Sequence, residues 1–389
     1  MTAEPLETVS PDAGLYVHVP FCARACPYCD FDFDVGRSPP VTRYVEALAR
    51  ELAERVVPAC PDTVYLGGGT PSLLGPDGLT ACFAALAQAC DLGHARETTV
   101  ELNPEHVDEP LVRTLVGLGV DRVSLGVQSF DERALRTLGR VHEPAQATAA
   151  VQRCMQAGLR VSIDLIVGWP EQTEDELRRD VEQALRLGLR HVSVYTLTVE
   201  PNTPWTRLVR RGKRALPCAD AQAQHASACE ALLEAGGLHH YEVASYAVPG
   251  DEGLHNTTYW TWRDYVGVGP SAASASFLSD GSVVRRTNRR GFSAWAAAPA
   301  QAAETEHLSP EAAAGEGLWT GLRRLDGLDV SAWSRRFVGV DRAWLNARIA
   351  RQLARGNLEL VGSPTGREVL RVRRDRWLLH DEICADLVV

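Results

Sequence analysis

The sequence predicts an α/β fold built on a parallel sheet, and two observations carry that expectation. Six short runs rich in Val, Ile, Thr and Tyr recur along the first 200 residues, each almost continuously apolar. Strands of that kind are buried on both faces. Between them lie longer stretches with helical periodicity, and strand–helix alternation implies right-handed crossovers joining parallel strands. Six units are fewer than the eight of a complete barrel. A partial barrel and an open doubly wound sheet are the two arrangements the pattern allows.

The strands begin near Leu15 (LYVHV), Val64 (VYL), Thr98 (TTVEL), Arg122 (RVSLGV), Arg160 (RVSIDLIV) and His191 (HVSVYTLTV). The first helix is TRYVEALARELAERVV, where Val45, Leu48, Leu52 and Val56 recur at spacings of three and four. Thr42, after Pro39 and Pro40, is its expected N-cap. EQTEDELRRDVEQALRLGL reads the same way, with Gly188 as the stop. After about residue 200 the pattern changes. PNTPWTRLVRRGKRALP suits a connection with a short helix, and 241–295 is dense in aromatics and glycines. From Ser309 a mainly helical region runs into REVLRVRRDRWLL, which suggests a small winged-helix-like module. With no basic recognition face in view, a packing or lid role is preferred to DNA binding. The expected division is 1–200 for the core, 201–305 for a barrel-closing extension and 306–389 for the C-terminal module.

With 45% hydrophobic and 23% charged residues, the composition is that of a globular protein. Fifty acidic against 40 basic residues give a net charge of −10, which counts against a nucleic-acid partner. No apolar run reaches the roughly 20 residues needed to span a bilayer. MTAEPLETVSPDAG lacks the basic and apolar regions of a signal peptide, so a cytoplasmic location is expected. Disulfides are then disfavoured. Of ten cysteines, seven are scattered and expected to be small buried thiols, whereas Cys22, Cys26 and Cys29 crowd one short segment.

That segment, LYVHVPFCARACPYCDFDF, places C-x-x-x-C-x-x-C on the loop leaving the first strand, with Tyr28 before the last cysteine. In α/β folds ligands gather at the C-terminal ends of strands. A structural zinc site wants four protein ligands, and no fourth cysteine follows. Three thiolates suit a [4Fe–4S] cluster whose remaining iron takes an external ligand. A glycine loop, Gly67-Gly68-Gly69-Thr70-Pro71, follows the second strand, and glycines let a backbone approach a ligand closely. Polar residues then mark successive strand ends: Glu101 in VELNPE, Gln128 and Ser129 in GVQSF with Arg140 beyond, and Asp164 in IDLIVGWP.

The cysteine motif with its aromatic resembles that of the radical S-adenosylmethionine (radical SAM) superfamily. The resemblance implies a partial (β/α)6 barrel and S-adenosyl-L-methionine chelated at the open iron. It also implies cleavage to methionine and a 5′-deoxyadenosyl radical by an electron from a reductant such as flavodoxin or ferredoxin. Carried over residue by residue, Cys22, Cys26 and Cys29 hold the cluster, and Tyr16, Gly69 and Thr70 position the methionyl end. Tyr28 and Gly68 belong to the same cofactor set. Glu101 contacts the ribose, and Gln128, Arg140 and Asp164 line the rest of the pocket.

The motif order is similar to the oxygen-independent coproporphyrinogen III oxidase-like subgroup over about residues 14–290. True oxidases carry a further cysteine two residues after the last cluster ligand and a longer N-terminal segment. Here Asp30, Phe31, Asp32 and Phe33 follow Cys29, and only 14 residues precede the first strand run. The haem-chaperone branch, the HemW type, resembles this chain in CPYCDF, YEVASYAVPG and His255-Asn256-Thr257-Thr258-Tyr259-Trp260. That branch implies haem or porphyrin as ligand, with His255 as a candidate iron ligand, and a haem-accepting protein as partner. Two departures stand out. Pro270-Ser271-Ala272-Ala273-Ser274 replaces A-G-A-H-S, and DFDFD replaces D-F-N-S-H. They leave open a radical SAM methyltransferase on the same scaffold, beside the oxidase alternative in porphyrin biosynthesis. The oligomeric state stays open.

Overall fold

The computed structural model describes residues 9–388 apart from 202, 216–217, 341 and 363–365. All six expected strands form. The first is β1 (Gly14–Val19), and the cysteine loop that follows is pinned by a two-residue pair, β2 (Phe21–Cys22) with β3 (Asp34–Val35). Next come β4 (Thr63–Gly68), β5 (Glu97–Leu102), β6 (Arg122–Gln128), β7 (Arg160–Val167) and β8 (His191–Thr196). The order β1-β4-β5-β6-β7-β8 follows the sequence, and every neighbouring pair is parallel. A doubly wound sheet reverses its strand order at a switch point. This one never does, so the partial barrel holds.

Helices α1 (Val41–Glu54), α2 (Gly75–Ala89), α3 (Glu109–Gly117), α4 (Glu132–Thr137), α5 (Pro144–Gln156) and α6 (Glu174–Arg186) fill the crossovers. Side chains alternate along a strand. Leu15, Val17 and Val19 therefore join the core shared with Tyr44, Leu48, Leu79 and Leu86 of the helices, leaving Tyr16 and His18 on the inner side. Helix α1 begins two residues earlier than expected. Pro40 takes the N-cap position without a side-chain bond, so Thr42 lies inside the first turn. Helix α6 starts on a capping box between Thr173 and Glu176 and stops before Gly188, whose φ is 75°.

Beyond residue 200 there is more sheet than the sequence predicts. After α7 (Pro204–Arg210) and α8 (Ala219–Ala235), β9 (His239–Glu242) and β10 (Ser245–Ala247) add antiparallel strands beside β8. The HNTTYW segment is a helix, α9 (Leu254–Trp260). Strand β11 (Tyr265–Val268) then pairs in parallel with the free edge of β1. β12 (Ala273–Phe277), β13 (Val283–Asn288) and β14 (Ala302–Leu308) continue antiparallel, with α10 (Phe292–Ala297) between the last two, giving twelve strands in one sheet. The expected boundary after residue 305 falls inside β14.

The C-terminal part runs through α11 (Pro310–Gly321), β15 (Leu328–Asp329), α12 (Val330–Arg336), α13 (Arg342–Ala354), β16 (Leu358–Gly362), β17 (Glu368–Val372) and α14 (His380–Ala385). Its small antiparallel sheet, in the order β15-β17-β16, fits a winged-helix-like module. One apolar cluster unites Trp262, Ala275 and Val283 with Leu318, Phe337 and Leu370, seating the module on the extension. All ten cysteines are free. Of the seven scattered ones, Cys82, Cys90, Cys154, Cys229 and Cys384 are buried as expected, but Cys60 is half-buried and Cys218 exposed. Among the described residues no helix is long and apolar enough to cross a membrane.

Candidate cofactor site

The β2–β3 pair holds residues 22–34 as a loop over the C-terminal ends of the barrel strands. Within it the Cys29 amide donates to the Cys26 carbonyl at 3.2 Å, a tight turn around Pro27 and Tyr28. The loop roofs a cavity of about 520 Å³. Cys22, Cys26, Cys29 and Tyr28 line it from above, Gly68, Gly69 and Thr70 from the end of β4 and the turn after it, Glu101, Gln128 and Asp164 from β5, β6 and β7, and Arg140 from the connection after α4. Every candidate except Tyr16 and His255 is therefore brought to one place.

A polar chain connects the sulfurs. Thr70 Oγ1 donates to Cys22 Sγ and Arg140 Nη1 to Cys26 Sγ, both at 3.6 Å. Asn103 bridges these two donors. Its Nδ2 donates to Thr70 Oγ1 at 3.5 Å and its Oδ1 accepts from Arg140 Nη2 at 2.7 Å. Arg140 also reaches the Gly126 carbonyl at 2.8 Å. Burial pushes the Cys22 thiol up to about 11 and raises Cys29 as well. Three thiols at one end of a cavity, two of them already accepting hydrogen bonds, fit a thiolate-held iron–sulfur group, whose sulfurs are tuned by such donors.

The glycines serve the fold and the site together. Gly68 has φ 110°, and a Cβ there would come within 2.6 Å of the His18 ring. A Cβ on Gly69 would meet the Phe21 carbonyl at 2.7 Å. Bare backbone lets the end of β4 lie against the strand that carries the cysteines. The Gly68 amide and Tyr65 Oη donate to the two oxygens of Glu101, at 3.0 and 2.7 Å, and burial raises this carboxyl. Burial, with the charge of Glu101, pushes Asp164 up to about 7. Gln128 sits at φ 67° where the β6–β7 register shifts, a left-handed backbone that non-glycine residues avoid and that clusters at sites.

Tyr16 lies elsewhere than expected. It stands two residues further down β1 than His18, bonds His18 Nδ1 at 3.0 Å and does not line the cysteine cavity. His255 lies further still, at the N-terminal ends of the strands. Its Nδ1 is 2.8 Å from Thr63 Oγ1 and its Nε2 is 2.8 Å from Tyr259 Oη, and burial drives the imidazole down to about 3. Glu97 Oε1 accepts from the Leu254 and His255 amides, so α9 plugs the barrel floor. With both ring nitrogens engaged, His255 has none to offer an iron in this conformation. An axial role would need one of these two bonds to break.

Beside this plug is a second cavity of about 510 Å³ between α9, α11 and the inner face of β11–β13. Tyr16, Tyr259, Trp260, Tyr265 and Phe277 line it, as does Ala273, the position where the resembling branch carries a histidine. Sequence reasoning missed Asn103 as a site residue although VELNPE displays it, and missed Ser124 and Tyr195 in the first cavity because they are ordinary strand residues.

Comparison with known proteins fits this geometry. Residues 16–184 match the model of the radical SAM superfamily. The chain is 35% identical to the haem chaperone HemW of Lactococcus lactis over 83% of its own length and 84% of the relative. It is 40% identical to that of Mycobacterium tuberculosis over 67% and 68%. Coproporphyrinogen III oxidase from Escherichia coli, a radical SAM enzyme, superposes with a TM-score of 0.81 at 20% identity, over 97% of this chain and 91% of that one, which shows the shared fold. The chain belongs to the radical SAM superfamily and, within it, to the HemW haem-chaperone family.

Proposed function

We propose that the chain binds haem in its second cavity, beside a barrel loaded with a [4Fe–4S] cluster and S-adenosyl-L-methionine, and passes haem to a haem-requiring protein in the cytoplasm. The observation that carries the reading is the aromatic cavity against α9. Its size lies within the range of about 300–1,000 Å³ usual for cofactor sites, and Tyr259 and Trp260 of HNTTYW form one wall. Aromatic faces suit a flat macrocycle, and a tyrosinate is an established haem ligand type. Ala273 leaves the room that a histidine would occupy.

In the first cavity Cys22, Cys26 and Cys29 would hold the cluster, with Thr70 and Arg140 donating to two of the sulfurs. When bound, the cluster and S-adenosyl-L-methionine supply one-electron cleavage chemistry. The protein's part is orientation and exclusion of water. Glu101, fixed under the glycine loop, would contact the ribose, and Asp164 offers a carboxyl that changes charge near neutrality.

Anaerobic reconstitution followed by haem titration tests the reading. Wild type should give a saturable Soret shift, and Ala273→Trp, which fills the cavity, should lose it. An unchanged titration for Ala273→Trp overturns the assignment of the cavity. Formation of 5′-deoxyadenosine with a modified porphyrin product would replace the chaperone by a turnover enzyme, of the oxidase or methyltransferase kind.

A further inference from the structure

We propose that α7 and the turn after it, residues 204–214, form the docking surface for an acidic one-electron carrier protein that reduces the cluster. The inference rests on the reading that the three cysteines hold one. In a chain of net charge −10, Arg207, Arg210, Arg211, Lys213 and Arg214 stand within eight residues with no acidic residue among them. Arg207, Arg210, Arg211 and Lys213 are exposed.

The segment is fastened to the cysteine loop itself. The Trp205 amide, in the first turn of α7, donates to the Pro27 carbonyl at 2.9 Å, between Cys26 and Cys29. Trp205 is fully buried in a cluster against which Tyr28 and Val209 pack. Arg214 then covers the Trp205 ring at 4.7 Å. A rigid aromatic root thus holds the cationic surface at Pro27, one residue from Cys26 and two from Cys29. Of the loop's acidic residues, Asp32 is bound to Ser271, Arg290 and the Gly291 amide of the extension, whereas Asp30 and Asp34 are exposed. A negatively charged carrier would be drawn to the Pro27 side and turned from the Asp30–Asp34 side.

Charge complementarity of this kind raises association rates and selects partners while adding little area. Electron-transfer encounters use small interfaces, below about 1,200 Å². The step moves one electron: the carrier is oxidised by one and the cluster reduced by one, and no bond or proton moves.

The sequence supplies its own probe, because Lys213 is its only lysine. A carbodiimide joins carboxylates to amines and not to guanidinium groups, so an acidic flavodoxin docked here should cross-link through the Lys213 peptide. Its affinity should fall steeply with salt. The triple variant Arg210→Glu, Arg211→Glu, Lys213→Glu should bind at least tenfold more weakly at low ionic strength. Its reduction by flavodoxin should slow by a similar factor, while reduction by dithionite is unchanged. Flavodoxin affinity equal to wild type in the triple variant, or wild-type binding insensitive to salt, overturns the proposal. So does retention on phosphatidylglycerol vesicles or single-stranded DNA that the triple variant loses while flavodoxin binding persists. A Cys26→Ala chain, which lacks a cluster ligand, should still bind flavodoxin. That result separates failure of the docking surface from failure of the cluster reading.

Discussion

Asn103 is the residue on which the cysteine site turns, although it touches no sulfur. By joining Thr70 to Arg140 it fixes the two donors that reach Cys22 and Cys26. Groups that orient metal ligands in this way cost about 10–100-fold in affinity when removed. Asn103→Ala should therefore lose iron about tenfold faster on desalting and bind S-adenosyl-L-methionine about tenfold more weakly, as iron per chain and equilibrium dialysis would show. Asp164 predicts a pH effect. An unfolded aspartate titrates near pH 3.9, and burial holds the folded one at about 7. The folded state keeps the proton through that window. The contribution to stability is present below about pH 3.9 and is lost as pH rises through about 7. Asp180, whose carboxylate accepts from Ser129 and the Phe130 amide, is raised to about 7 by burial and titrates over the same window. Asp164→Asn should thus make the fall in Tm between pH 4 and pH 7 shallower for the cofactor-free protein. A slope equal to wild type would show that Asp164 ionises normally.

Among the elements, the two places where the sequence departs from the haem-chaperone pattern meet each other. Asp32, in DFDFD, accepts from Ser271 Oγ of PSAAS and from the Gly291 amide, both at 2.6 Å, and pairs with Arg290 at 3.3 Å. The Asp32 carbonyl is 3.2 Å from His18 Nε2. Ser271 sits at φ 59°, where the pattern has glycine, and its hydroxyl bond offsets the strained backbone. Both departures are legible in the sequence, but their contact is not, since 239 residues separate them. The same limit applies to Tyr16 and His255. Motif position singles them out, whereas only the strand register shows that they lie below the cysteine cavity rather than in it. Asp32→Ala should cost about 1–3 kcal/mol by leaving donors unmet, seen as a lower Tm, and should speed bleaching of the cluster in air. Ser271→Gly exchanges a bond worth about 1 kcal/mol for relief of similar size, so its Tm should stay near wild type.

At the scale of the whole molecule, the six barrel strands were legible because strands buried on both faces must be apolar throughout. The strands of the extension were not. ASASF of β12 and AAETEHL of β14 are small or polar, and β14 leaves much of its length exposed. They are specified by pairing to an edge that the barrel provides, which no local pattern reports. What fastens extension to barrel is a buried charge. Glu51 of α1 accepts from Arg55 at 3.0 Å, the Gly269 amide at 2.8 Å, Asn288 Nδ2 at 2.7 Å and Trp295 Nε1 at 2.9 Å. Arg55 in turn reaches the Gly267 carbonyl at 2.7 Å and Ser274 Oγ at 3.0 Å. Burial alone raises the Glu51 carboxyl, and these partners work against that cost. One helix of the core thereby holds β11, β12, β13 and α10, the sheet that backs the second cavity. Removing one member of a buried pair leaves the other charge uncompensated, at about 3–5 kcal/mol. Glu51→Ala should therefore lower Tm sharply and abolish haem binding, while iron uptake by the cysteine loop survives at temperatures where the barrel stays folded. Glu51→Gln, which keeps the shape and part of the bonding, should lie between. Equal loss of iron and haem binding in Glu51→Ala would mean that barrel and extension unfold as one unit.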